Sequence, residues 1–204
     1  AMKIICIGRN YVAHAQELNN PLPEEPVFFM KPDTSLIIRN RPFFYPDFSR
    51  DIHHETELVL KISKNGRHIE EKFAHTYYEE IGIGIDFTAR DIQQKQKEKG
   101  LPWEIAKAFD GAAPLGKFLP KEKFSDLSNI RFHLLKNGDK VQDGNSGLMI
   151  FSFDSIISYV SRFITLKMGD LIYTGTPAGV GPVRIGDVLE AFVEEEKLLK
   201  CAVK

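Results

Sequence analysis

The sequence predicts a single β-rich α+β domain, and three observations carry that reading. Short segments with strand-like apolar alternation recur along the whole chain. The few helical patterns among them follow no regular strand–helix–strand order, which argues against a doubly wound parallel sheet. Near the end, Gly169-Asp170-Leu171-Ile172 and Gly186-Asp187-Val188-Leu189 each set a Gly-Asp turn before a strand. Two copies are too few for a solenoid, but they fit short strands in a folded-over β-roll.

The elements follow in order. Residues 2–8 hold the apolar run Ile4-Ile5-Cys6-Ile7 and read as a strand ending at Gly8, not as a signal peptide, because no small-residue cleavage site follows. Tyr11 to Leu18 can form two helical turns, stopped by Asn19-Asn20-Pro21; Pro23, Glu24, Glu25 and Pro26 continue an irregular polar connection. Val27 to Met30 is a short strand. Apolar residues at 58, 60 and 62 predict a half-buried strand from Leu58 to Ile62. Asn65-Gly66 and Asn137-Gly138 are hairpin signals, since this dipeptide suits a type I′ turn. Ile81, Ile83 and Ile85 alternate with Gly82, Gly84 and Asp86 in a further strand. Thr88 to Lys99 reads as a helix capped by Thr88, with Asp91 three residues on and Gly100 and Pro102 ending it. Asp154 to Leu166 reads as another, with Ile156, Ile157, Val160, Phe163 and Ile164 as its core face.

Composition narrows the function classes. The chain has 204 residues, 43% apolar and 27% charged, an ordinary globular profile. At this length roughly 70% of the unfolded surface can be buried, so no disulfide or metal is needed merely to fold. A net charge of −1 with interspersed signs excludes the clustered basic surface of a nucleic-acid binder. The stretch Leu148 to Leu166 is broken by Asp154 and Arg162, so no membrane span is expected. Cys6 and Cys201 lack zinc-ligand spacing and read as reduced, buried thiols of a cytoplasmic protein. Gly82-Ile83-Gly84 lacks the third glycine of a dinucleotide fingerprint. Gly175 to Gly181 lacks the lysine and serine of a phosphate loop, and Gly144-Asn145-Ser146-Gly147 is too short for a nucleophile elbow.

The informative stretch is Asp51-Ile52-His53-His54-Glu55-Thr56-Glu57-Leu58. In a strand beginning by Glu55, Glu55 and Glu57 project from one face. Two carboxylates at that spacing either face solvent or share a cation. Asp86 ends a second strand on the face of Gly82 and Gly84, whose missing side chains either leave open space beside the carboxylate or let another segment pack closely. Three carboxylates suit Mg²⁺, Mn²⁺ or Ca²⁺ better than zinc, and Lys107 could offset their remaining charge. His14 and Glu17, three residues apart on a short helix, share a face. An imidazole oriented by a carboxylate can act as a general base toward water. Their helix leads into the polar connection, so residues 10–26 have the composition of a mobile lid. Arg9, Arg90 and Arg184 each could bind a distal carboxylate or serve as surface arginines.

The sequence resembles the fumarylacetoacetate hydrolase family over nearly its whole length. The carriers are Gly8-Arg9-Asn10-Tyr11, His53-His54-Glu55-Thr56-Glu57-Leu58, Asp86-Phe87-Thr88-Ala89-Arg90-Asp91, Lys99-Gly100-Leu101-Pro102-Trp103, Lys107-Ala108-Phe109-Asp110, Met149-Ile150-Phe151-Ser152 and Thr174 to Pro182, in the family's order. It looks nearest to the short acylpyruvase and oxaloacetate decarboxylase branch. The resemblance implies a mixed β-sandwich roll spanning residues 1–204, with no room for the extra N-terminal domain of some members, and a homodimer using Mg²⁺ or Mn²⁺. It implies Glu55, Glu57 and Asp86 as metal ligands and His14 with Glu17 as a catalytic dyad. It further implies Lys107 as the catalytic lysine and Gln93 and Thr176 as substrate contacts, to which Arg9 is added as a candidate from its charge alone. Asn145-Ser146-Gly147-Leu148 departs from the usual Asn-Thr pattern. The implied activity is metal-dependent cleavage of a C–C bond in a small 2-oxo acid, either acylpyruvate hydrolysis or oxaloacetate decarboxylation. The alternatives are an isomerase or decarboxylase of hydroxymuconate-type diacids, a sugar-acid enzyme, and a binding module that keeps only the fold.

Overall fold

The computed structural model describes residues 2–17 and 21–204. In chain order its strands begin with β1 (Ile4–Gly8), β2 (Val27–Lys31), β3 (Leu36–Ile37), β4 (Ile52–His54), β5 (Thr56–Ile62), β6 (Tyr78–Ile85) and β7 (Thr88–Ala89). They continue with β8 (Ala113–Pro120), β9 (Arg131–Lys136), β10 (Asp139–Asn145), β11 (Leu171–Tyr173), β12 (Gly181–Pro182), β13 (Val188–Val193) and β14 (Glu196–Ala202). The helices are α1 (Val12–Glu17), α2 (Glu71–Ala74), α3 (Arg90–Lys99), α4 (Glu104–Lys107) and α5 (Phe153–Phe163).

A mixed seven-stranded sheet runs β2-β1-β11-β5-β6-β8-β3. It is parallel where β1 meets β11 and where β3 meets β8, and antiparallel elsewhere. A four-stranded sheet, β10-β9-β13-β14, packs on it, and a three-stranded sheet, β12-β4-β7, closes one end. The strand-rich mixed roll is therefore the observed fold. The main core lies between the two larger sheets and α5, with Leu58, Leu60, Ile81, Phe132, Leu134, Ile156 and Leu189 buried in it. A smaller cluster holds Ile4, Cys6, Val59 and Tyr173 on the opposite side. Cys6 and Cys201 are free and buried. Among the described residues no helix is long and apolar enough to cross a membrane.

Several local expectations change in the fold. The strand at Leu58 is not half-buried. It is central in the larger sheet, so both faces of Thr56–Leu60 are covered. Asn137-Gly138 does form a left-handed turn, with φ of 55° and 92°, joining β9 to β10. Asn65-Gly66 does not join two strands. Gly66 bridges Leu166 instead, and the Asn65 side chain accepts the Met168 N–H. Thr88 is not a helix cap, because its hydroxyl donates to Glu55 at 3.0 Å and α3 begins two residues later. Gly100 ends α3 with a φ of 62°, as its position predicts. α5 starts one residue earlier than expected, capped by Ser152, and Phe163 is 55% exposed instead of joining the core face.

Candidate active site

The acidic trio is built by the ends of two central strands. The β5–β6 ladder pairs Thr56 with Ile85 and Glu57 with Gly84. Just beyond it, the Asp86 N–H donates to the Glu55 carbonyl at 2.8 Å. This register aims Glu55, Glu57 and Asp86 at one place. One carboxylate oxygen from each lies within 4.8 Å of the others, and none of the three residues is more than 5% exposed. The neighbouring glycines serve close packing. A Cβ on Gly84 would fall 2.4 Å from the Tyr173 ring, and one on Gly82 2.9 Å from Phe118.

Three buried acids demand positive charge. Lys107, at the end of α4, donates to Glu55 Oε2 at 2.8 Å and to Asp86 Oδ2 at 2.7 Å. Arg90 pairs with the other oxygen of Glu55. Lys31 pairs with Asp86 Oδ1 at 2.7 Å. Burial works to raise the Glu55 carboxyl, but Lys107 and Arg90 outweigh it and hold it well below the usual range. Glu57 is the opposite case. Burial first, then the charges of Asp86 and Glu55, push it well above the usual range, and its main partner is the Gly175 N–H at 2.7 Å. The donor set thus fits a hard divalent cation: three clustered oxygens, one of them short of positive charge.

Arg9, His14, Gln93, Lys107 and Thr176 line the same cleft as the trio. Glu17 stands behind His14, with His14 Nδ1 donating to Glu17 Oε2 at 3.3 Å. The carboxylate can only accept here, so the proton sits on Nδ1 and Nε2 keeps a free lone pair. Glu17 is itself held by the Gly179 N–H at 3.1 Å. Asn10 fixes the start of this segment through Phe151 and Thr174, and both Asn10 and Tyr11 are buried. The lid expected over residues 10–26 is therefore anchored at its first residues. Residues 18–20 of that lid, and the end of the helix expected to reach Leu18, lie outside the described residues.

Burial lowers the His14 imidazole, with Glu55 and Glu17 only partly offsetting it. A lowered value keeps the ring unprotonated below pH 6.5. Activity that needs this base should persist through pH 6.5 and fall only at more acid pH, which a kcat/KM profile against pH would show. A profile whose acid limb lies above 6.5 would contradict that assignment.

Two groups are absent from the sequence reading. Lys31 ends β2 with its side chain fully buried, reaching Asp86 and the carbonyls of Phe87, Ala112 and Lys107. Its only signal is a lysine that continues the apolar run Val27 to Met30. Gln142 is buried in β10. Its carbonyl accepts from the Thr56 N–H at 2.9 Å and bonds His54 Nδ1 at 3.1 Å. Its amide donates to Thr176 Oγ1 at 2.8 Å, and the Thr176 hydroxyl in turn donates to the Thr56 carbonyl at 2.8 Å. One amide so ties the Thr176 loop to the strand that carries Glu55 and Glu57. No sequence spacing announces that link. Arg90 is anchored to Glu55 and Gln93, while Arg184 lies away from the cleft.

Comparison with known proteins identifies the family. Residues 3–203 match the family described as fumarylacetoacetate (FAA) hydrolase C-terminal. The chain is 42% identical over 201 residues to the bovine mitochondrial oxaloacetate tautomerase FAHD1, covering 98% of this chain and 91% of that protein. It is 44% identical over 192 residues to a mitochondrial oxaloacetate decarboxylase of Dictyostelium discoideum, covering 94% and 88%. A crystal structure of fumarylpyruvate hydrolase from Pseudomonas aeruginosa, in complex with Mn²⁺ and pyruvate, superposes with a TM-score of 0.93 at 35% identity, covering 100% of this chain and 89% of that one. By sequence match, fold and near-full-length relatives, the chain belongs to the fumarylacetoacetate hydrolase family.

Proposed function

We propose that this protein is a divalent-metal-dependent enzyme that breaks or rearranges bonds at C3 of a small 2-oxo acid. One observation carries the reading: a buried trio of carboxylates opens on the same cleft as a lysine and a carboxylate-oriented histidine. The tautomerase, decarboxylase and hydrolase named among the similar proteins support it, since all three reactions can share an enolate of the 2-oxo acid.

Glu55, Glu57 and Asp86 would hold the ion. When bound, it would act as a Lewis acid toward the carboxylate and carbonyl oxygens of the substrate. Lys107 places a permanent positive charge beside the oxygen on which the enolate charge grows. His14 Nε2 is the free base of the cleft, and Glu17 stabilises the imidazolium formed when it takes a proton. In tautomerisation that proton comes from C3 and the 2-oxo oxygen gains one. In acylpyruvate hydrolysis it comes from water attacking the distal carbonyl; the C3–C4 bond then breaks with its electron pair passing into the enolate, which releases the carboxylic acid, and C3 takes a proton back from the imidazolium to give pyruvate. Decarboxylation of oxaloacetate sends the C3–C4 electron pair into the enolate and needs no base to start.

These roles separate experimentally. With Mg²⁺ present, His14→Ala should lower hydrolysis and tautomerisation by roughly 10²–10⁴-fold, while decarboxylation falls by much less. Equal loss of all three would remove the base from His14. A panel of acylpyruvates, oxaloacetate and hydroxymuconate diacids, assayed with and without chelator, tests the reading itself. Full activity after chelation would overturn it, and turnover of the hydroxymuconates alone would favour the isomerase.

A further inference from the structure

The cleft carries more positive charge than its known duties require. Arg90, Gln93 and Lys97 stand at i, i+3 and i+7 of α3, one stripe of the helix, and all three line the cleft with Arg9. Arg90 is committed to Glu55 and Gln93. Among the described residues, Lys97 and Arg9 form no ion pair. Lys97 is half-buried, with its ammonium 6.0 Å from the centre of the Trp103 ring. Burial first, then the nearby charges of Arg9 and Arg90, push that ammonium down from its usual value.

A lysine on the free side of this helix could have pointed to open water. Instead it shares a cleft with two arginines and Lys107, four cations against three carboxylates. The carboxylates sit at the buried end, where Lys107 and Arg90 already meet them. Among the described residues, Arg9 and Lys97 have no ion-pair partner in the half-buried part, and the Glu55 charge, already met by Lys107 and Arg90, acts on Lys97 only through space. Like charges held together in a partly dehydrated cleft destabilise it unless an anion enters. Trp103 stands beside the Lys97 ammonium as a wall of the cleft, and its ring packs edge-on against Phe29 at 5.9 Å.

We propose that Lys97, with Arg9, is the specificity-determining clamp for a second carboxylate. The cleft then prefers 2-oxo dicarboxylic acids, anionic at both ends, over 2-oxo acids with a neutral tail. The inference rests on the proposed 2-oxo acid reading and narrows its substrate class.

The test compares Lys97→Met, which keeps the stem and removes the charge, with Lys97→Arg, which restores it. In the Mg²⁺-loaded protein, Lys97→Met should raise KM for oxaloacetate by about 10–100-fold, the range of one charge-assisted hydrogen bond. The change in kcat should stay within a few-fold, and Lys97→Arg should recover most of the loss. Acetylpyruvate, neutral at its distal end, should show little change in KM. Calorimetry provides a readout independent of turnover. Wild type should bind 2-oxoglutarate more tightly than 2-oxopentanoate, and Lys97→Met should erase that difference while leaving oxalate affinity unchanged. Equal effects on both members of either pair, or none on either, would overturn the clamp while the 2-oxo acid reading stands. Failure of wild type to bind any of these acids would overturn that reading and the clamp with it.

Discussion

Glu57→Gln should abolish metal-dependent turnover and weaken Mg²⁺ binding by at least about 10³-fold, yet leave the metal-free fold intact or stronger. The first effect follows from charge. Glu57 is one of three anionic oxygens around a single point, and replacing it with a neutral amide removes a third of the attraction. Even at an effective dielectric near 20, that attraction is several kcal/mol for a divalent ion, and each 1.4 kcal/mol is about tenfold in affinity. The second effect follows from the state of Glu57 without metal. Burial and its acidic neighbours raise its carboxyl, and a glutamine resembles that protonated form. Its oxygen can still accept the Gly175 N–H, which now reaches Glu57 Oε2 at 2.7 Å.

The sign of the pH dependence is fixed by the direction of the shift. A carboxyl raised in the folded state contributes stability that is fully present below its unfolded pKa and is lost as pH climbs through the raised value. Metal-free wild type should therefore lose ground to metal-free Glu57→Gln as pH rises above the usual carboxylate range. Adding Mg²⁺ should reverse the order, because only wild type gains binding energy. Thermal melts of both proteins at two pH values, with chelator and with Mg²⁺, check all four states. A Glu57→Gln protein that binds Mg²⁺ like wild type would remove Glu57 from the ligand set.

The trio was legible in the sequence because strand geometry is periodic. Glu55 and Glu57 differ by two positions, and Asp86 ends a strand of alternating isoleucines, so their faces follow from counting. The pairing that brings Asp86 beside Glu55 is set by the β5–β6 register, which counting within one strand does not give. His14 and Glu17 were legible for the same reason on a helix. Their position against the trio depends on Asn10, pinned across the chain to Phe151 and Thr174. Local signals failed where a distant partner took the group. The Thr88 hydroxyl was free to cap a helix until Glu55 claimed it, and Gly66 was free to turn a hairpin until Leu166 bridged it. Lys31 was missed because a lysine after four apolar residues ordinarily marks a strand leaving the core. In this fold β2 lies at the edge of the sheet, and its last side chain turns under the site.

That buried lysine carries the second large effect. Lys31→Met should destabilise the metal-free protein by about 3–5 kcal/mol, the usual cost of stranding one member of a buried ion pair. For a chain of this size that is a fall in Tm on the order of 10 °C. The loss has two parts. Asp86 Oδ1 loses its partner at 2.7 Å, and the carbonyls of Phe87, Ala112 and Lys107 lose a shared donor. A divalent ion can compensate the first part, since Asp86 is one of its three candidate ligands, but not the second, since the carbonyls lie outside the ligand set. Mg²⁺ should therefore raise the Tm of Lys31→Met more than that of wild type and still leave it below wild type. Lys31→Arg should not restore stability, because a guanidinium is larger and planar and the site is closed around a compact ammonium. Melts of the three proteins over a Mg²⁺ series decide the matter. An Mg²⁺ gain in Lys31→Met no greater than in wild type would mean that Lys31 only props up the backbone, with no part in balancing the charge at Asp86.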